Sequence, residues 1–136
     1  MADTLELEVA TPERELVREL VIEVQVPGKD GYMGILAGHA PLMGLLGIGT
    51  LTYVTALDGK KHYLSVHEGF LEVLEDHARV LADCAERAEE IDVPRARAAL
   101  QRAQEEGLNP ALGVDPGAAL LALARAQARL ATAELK

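Results

Sequence analysis

Ile91-Asp92-Val93-Pro94-Arg95-Ala96 is the stretch at which the chain changes character. Asp92 can accept hydrogen bonds from first-turn N–H groups as a helix N-cap. Pro94 falls where a missing N–H costs nothing. From Asp92 to the end, 13 residues are Ala and much of the rest is Leu and Arg. Val93, Ala96, Leu100 and Ala103 then follow one helical face, which predicts a helix beginning at this point. The stretch from Gly107 to Gly117, with Pro110 and Pro116, interrupts it, and a second helix is predicted from about Ala118 to Glu134. The tail is therefore read as a helical hairpin. A buried Leu contributes roughly 1.5–3 kcal/mol and an Ala methyl only about 0.8 kcal/mol. An Ala-rich hairpin can stay helical yet lacks a core of its own, which makes it a candidate moving part.

Upstream of the boundary the period is two. Leu5-Glu6-Leu7-Glu8-Val9 alternates, and Val24-Gln25-Val26 repeats the pattern before Pro27-Gly28 ends it. Two β-prone segments, 51–55 and 62–66, flank Asp58-Gly59, a turn dipeptide that tolerates positive φ. Phe70–Leu74 and Ala78–Ala82 form a second predicted hairpin around Glu75-Asp76-His77. The rhythm is that of a β-sandwich or barrel. Seven glycines between 28 and 49 depart from it and are read as loops. Two roles fit them: tight turns, or a contact surface made of backbone.

Charge follows the same division. Residues 1–91 hold 7 of the 13 Lys/Arg and 17 of the 22 Asp/Glu, whereas residues 92–136 are nearly balanced. The net charge of −9 argues against a nucleic-acid partner. The single cysteine, Cys84, excludes an internal disulfide and is read as a small buried apolar residue. No apolar run approaches the ~20 residues needed to span a bilayer, and the first residues lack the features of a signal peptide, so membrane association is expected only through a partner.

Catalytic signatures are missing from the sequence. Gly28-Lys29 lacks the rest of a P-loop, and His67-Glu68 is not followed by the second His of a zinc-protease helix. No catalytic or metal residue is assigned. The tail does carry one chemical constellation. Arg95 and Arg102 are seven apart on the first helix, and Arg125 and Arg129 are four apart on the second, so each pair shares a face. If those faces meet, four guanidinium groups converge with little acidic compensation from either helix, a site for a nucleotide phosphate chain. Solvated surface arginines are the alternative.

Three motifs carry a family resemblance. The run from Pro27 to Leu42, PGKDGYMGILAGHAPL, resembles the glycine-rich signature of the epsilon subunits of bacterial F-type ATP synthases. So do Ser65 to Val73, SVHEGFLEV, and Leu81 to Asp92, LADCAERAEEID. The resemblance spans the whole chain in order. It implies an α+β protein: an N-terminal ten-stranded β-sandwich over residues 1–90, followed by a C-terminal two-helix antiparallel hairpin over 91–136. It further implies a non-catalytic rotor-stalk subunit that couples proton-driven rotation to ATP synthesis and sits, through the complex, on the cytoplasmic face of the bacterial cell membrane. The implied partners are the gamma subunit and the c-subunit ring for the sandwich, with Gly31, Tyr32, Gly34, His39 and Pro41 in a docking loop. The αβ catalytic subunits would meet the extended tail, which inhibits ATP hydrolysis.

Some members of that family bind ATP in the folded-down hairpin through an I/L-D-x-x-R-A motif, which is intact here from Ile91 to Ala96. By this resemblance Glu86, Ile91, Asp92 and Ala96 surround the base, and Arg95, Arg102, Arg125 and Arg129 reach toward ribose and phosphates. No cofactor is required; ATP is the expected regulatory ligand. Asp92 is at once a cap and a proposed contact. Three positions depart from the family pattern. Ala37 replaces a common Pro, Tyr32 stands where some relatives carry a Glu facing the c ring, and Glu105 and Glu106 replace basic residues. A free-standing nucleotide sensor is the competing reading, but such a sensor has no use for the glycine-rich segment.

Overall fold

The computed structural model describes residues 3–136. Strands β1 (Leu5–Ala10), β2 (Glu15–Gly28), β3 (Gly31–Leu36), β4 (Leu42–Thr55), β5 (Lys61–Leu74) and β6 (His77–Arg87) precede a 3₁₀ turn at Ala88–Glu90. Helices α1 (Val93–Leu108) and α2 (Pro116–Glu134) follow, joined by a 3₁₀ turn at Pro110–Leu112. The strands run β1-β6-β5-β4-β2-β3, and β1 also pairs with β2, so five of them close into a barrel-like sandwich with β3 on the margin. All pairings are antiparallel except β1 with β6.

Among the described residues there are six strands, which does not confirm the expected ten. Three strands are 14 residues long and stay continuous where a shorter-stranded sandwich would break. β2 shifts register between Val21 and Glu23 and again between Gln25 and Gly28. In β5 the bend is made by Glu68 and Gly69, with φ of 59° and 126°. At Gly69 a Cβ would overlap the Leu81 carbonyl oxygen and the Ala82 Cα, so only glycine fits that crossing.

The glycine-rich segment is not a set of loops. Pro27-Gly28 continues β2, and the residues beyond form edge strand β3 and the first half of β4. Gly31, Tyr32 and Gly34 thus lie in a strand, and only His39 and Pro41 occupy the connecting loop. Glycine serves here to let neighbours approach. A Cβ on Gly49 would strike the Tyr32 hydroxyl and Pro27. That hydroxyl accepts a hydrogen bond from the Thr50 N–H at 3.0 Å, beside the stretch of β2 where Pro27 has no N–H and the β2–β4 register slips.

The core is complete within the β body. Leu5, Leu7, Val9, Val21, Val24, Val26, Ile35, Leu51, Leu64, Val66, Leu71 and Val80 are fully buried members of one cluster that ends at Ala85. No hairpin residue belongs to it. The helices instead bury alanines at heptad spacing, Ala96 and Ala103 on α1 and Ala119, Ala126 and Ala133 on α2. The Asp92 carboxylate accepts from the Arg95 N–H at 3.1 Å, the predicted cap, and Asp115 caps α2 through the Ala118 N–H at 3.0 Å.

Candidate functional site

Strand β5 reads polar and apolar in turn, yet Leu64, Ser65, Val66 and His67 are all buried. Alternation places Leu64 and Val66 in the core and turns Ser65 and His67 outward. What covers them outside is α2. Cross-strand register assembles the footprint: Thr50, Ser65 and Glu86 form one row across β4, β5 and β6, and Ile48, His67 and Cys84 form the next. Ser65 and His67 retain only 1% and 2% of their exposure. A helix seated on such a surface is held by polar contacts, not by a greasy face.

Those contacts are specific. Arg129 donates through Nε to Glu86 Oε1 at 2.7 Å, with both side chains about 30% exposed. A second guanidinium nitrogen of Arg129 lies 3.9 Å from Cys84 Sγ. Arg125 pairs with Glu68 at 3.4 Å. Thr132 donates to the Ala128 carbonyl at 2.8 Å, leaving its hydroxyl oxygen to accept from Thr50 Oγ1 at 2.7 Å. Ser65 Oγ and His67 Nε2 are 2.9 Å apart, while His67 Nδ1 is buried with no protein partner. Burial, followed by the charges of Arg129 and Arg125, lowers the His67 pKa from 6.5 to about 4, so the ring is neutral at pH 7.

The hinge between body and hairpin is fastened separately. Arg14, the last residue of the turn before β2, makes a two-pronged ion pair with Glu90 at 2.9 and 3.0 Å. Glu90 also accepts from the Arg87 N–H at 3.1 Å, and the Arg14 hydrogen bond holds its carboxyl below the usual range. Arg87 in turn donates to the Leu16 carbonyl. Ile91 and Ala88 are buried just beyond, so the chain leaves the body through an anchored turn.

The eight residues assigned to nucleotide binding divide into three groups. Ile91 and Ala96 are buried, and Asp92 is an exposed cap. Arg125 and Arg129 face the sheet with Glu68 and Glu86. Arg95 and Arg102 face solvent, and among the described residues neither forms an ion pair. The two arginine faces therefore do not meet: the α1 pair looks to solvent, and the α2 pair finds its carboxylates on the sheet, neither helix supplying them. Neither helix sequence contains that information. Cys84 is likewise half-buried under α2 and not in the core.

Sequence reasoning missed Thr50, Ser65, His67, Glu68 and Thr132 as contacts. Residues 64–67 alternate apolar and polar like any half-exposed strand, so nothing in the sequence signals that Ser65 and His67 are covered. Among the described residues no cluster of His, Cys, Asp and Glu could hold a metal ion, and no helix is long and apolar enough to cross a membrane.

Elsewhere, exposed apolar side chains align instead of scattering. Leu45, Phe70 and Leu81 are direct cross-strand partners on β4, β5 and β6 and are 48%, 56% and 46% exposed. At one end of the body the Gly38 N–H donates to Asp76 Oδ1 at 2.6 Å, tying the loop before β4 to the β5–β6 turn.

Two family models match the chain. The ATP synthase delta/epsilon chain beta-sandwich domain covers residues 4–88, and the delta/epsilon long alpha-helix domain covers 89–134. The ATP synthase epsilon chain of Solibacter usitatus is 73% identical over the full length of both chains. That of Koribacter versatilis is 50% identical over 77% of this chain and 72% of its own. Among solved structures, a chain of the Euglena gracilis mitochondrial ATP synthase, determined as an OSCP/F1/c-ring assembly, superposes with a TM-score of 0.83 at 25% identity. It covers 98% of this chain and 82% of that one. This chain belongs to the epsilon-subunit family of F-type ATP synthases, non-catalytic subunits of the central stalk.

Proposed function

We propose that the two parts divided near residues 90 and 91 do two jobs. The β body docks on the gamma subunit and the c-subunit ring and helps couple ion-driven rotation to ATP synthesis. The hairpin is a regulator that lies on the body or extends toward the αβ subunits, where it restrains ATP hydrolysis. The carrying observation is that the hydrophobic core closes without any hairpin residue, while α2 rests on a polar footprint. Losing α2 exposes hydroxyls and ion-pair partners that water can satisfy, so undocking costs little.

The aligned apolar row Leu45, Phe70 and Leu81 is the surface suited to gamma, since a contiguous apolar strip marks a protein contact better than isolated side chains do. The end carrying His39, Pro41 and the Asp76 tie is suited to the c ring, with Tyr32 in place of an acidic contact. Membrane association is then peripheral, at the cytoplasmic face, and entirely through the complex.

ATP is the regulatory ligand of the docked hairpin. Arg95 and Arg102, exposed and unpaired, offer guanidinium groups to phosphates, and Arg125 and Arg129 become available if phosphates displace Glu68 and Glu86. Calorimetric titration of the full chain with ATP tests this. Saturable heat, weakened at least tenfold in the Arg95→Ala, Arg125→Ala double variant, supports the site. No heat in the parent protein removes ATP from the account.

A further inference from the structure

We propose that His67 is a proton-sensitive latch: α2 stays seated on β4, β5 and β6 only while the His67 ring is neutral, and acidification releases the helix. The claim rests on the reading of the hairpin as detachable. His67 is an outward-facing residue of β5, yet it is 98% covered, and the cover is α2.

Burial and the two guanidinium groups that face it favour the neutral ring, and the two nearby carboxylates are already engaged. From α2 come the Arg125 and Arg129 guanidinium groups and the Thr132 hydroxyl. From β6 come Cys84 and Glu86, from β4 Ile48 and Thr50, and from β5 itself Ser65 and Glu68. The two carboxylates each already receive one arginine. A protonated His67 is a third cation among two anions, and its Nδ1–H has no acceptor in the protein.

The sign follows from linkage. The docked form holds the His67 pKa near 4, and undocking exposes the ring to water and removes both arginines, returning it toward 6.5. Docking is therefore at full strength above pH 6.5 and weakens as pH falls toward 4. The undocking constant rises by up to about tenfold per pH unit in that window, and by about 30-fold between neutral pH and pH 5.

The test is a pH titration of the isotope-labelled full-length chain by NMR from pH 7.5 to 5, following the His67 ring and the α2 amides together. The ring is expected to titrate below 6.5, with α2 amides moving along the same curve. His67→Gln, neutral throughout, is expected to keep α2 at its docked shifts across the range. His67→Leu is expected to do the same without the Ser65 hydrogen bond, which covers the case in which one variant folds poorly. Unchanged α2 amides in the parent, or an identical transition in both variants, overturns the latch. A hairpin that leaves the body in the assembled enzyme but not on acidification sinks the latch alone. A covalently tethered hairpin that leaves hydrolysis control untouched sinks the reading beneath it.

Discussion

Arg129 of α2 and Glu86 of β6 meet at 2.7 Å across the seam between hairpin and body, and the family resemblance implies a nucleotide contact for each. In the docked structure they bind one another. The ion pair is a fastening that also occupies the proposed ligand positions, so a phosphate group bound there would compete with Glu86 for one guanidinium.

The pair predicts a measurable coupling. Both side chains remain about 30% exposed, so its contribution is about 1 kcal/mol, not the several expected of a fully buried pair. A double-mutant cycle with Arg129→Gln and Glu86→Gln, read by thermal unfolding, should return that coupling. A coupling near zero would show that the contact does not hold α2.

Gly69 predicts a sharper loss. Its φ of 126° and the overlap of any Cβ with Leu81 leave no room for alanine, so Gly69→Ala should cost about 3 kcal/mol. Gly34→Ala, with open space around the added carbon, should stay within about 0.5 kcal/mol. Urea unfolding of the two variants checks the contrast.

Tyr32→Phe removes the acceptor for the Thr50 N–H and should cost about 1 kcal/mol in the same assay. Thr50 also bonds Thr132, so this loss should be larger in the docked form than in a variant whose α2 is released.

Alkaline stability turns on Tyr53. Burial, reinforced by Glu19, raises its pKa from 10.0 to about 12. The neutral phenol is favoured in the folded state, so this contribution is intact below pH 10 and is lost as pH rises toward 12. Tyr53→Phe should flatten the fall in melting temperature over that window.

Much of the architecture was legible because local signals agreed. Asp92 and Pro94 mark the start of α1, and the residues Glu75 and Asp76 make the β5–β6 turn with φ of 46° and 58°. The glycine-rich segment was misread as loops. Glycine usually breaks strands, and only the close approach of Tyr32 to Gly49 and of Gly31 to Gly28 shows why it builds them here. The ten strands implied by the resemblance are not confirmed: six are seen among the described residues, and β2 shifts register twice without breaking. The arginine faces were found, but Glu68 and Glu86 lie on other elements, and no helical spacing could announce them.

Locking α2 to the body tests the account most directly. Thr50 and Thr132 hydroxyls lie 2.7 Å apart, so a Thr50→Cys, Thr132→Cys pair in a Cys84→Ala background should form a disulfide across the seam. ATP hydrolysis by the reassembled synthase is then measured before and after reduction. The account predicts that the oxidised enzyme hydrolyses ATP without restraint and that reduction restores inhibition. Equal inhibition in both states would contradict it.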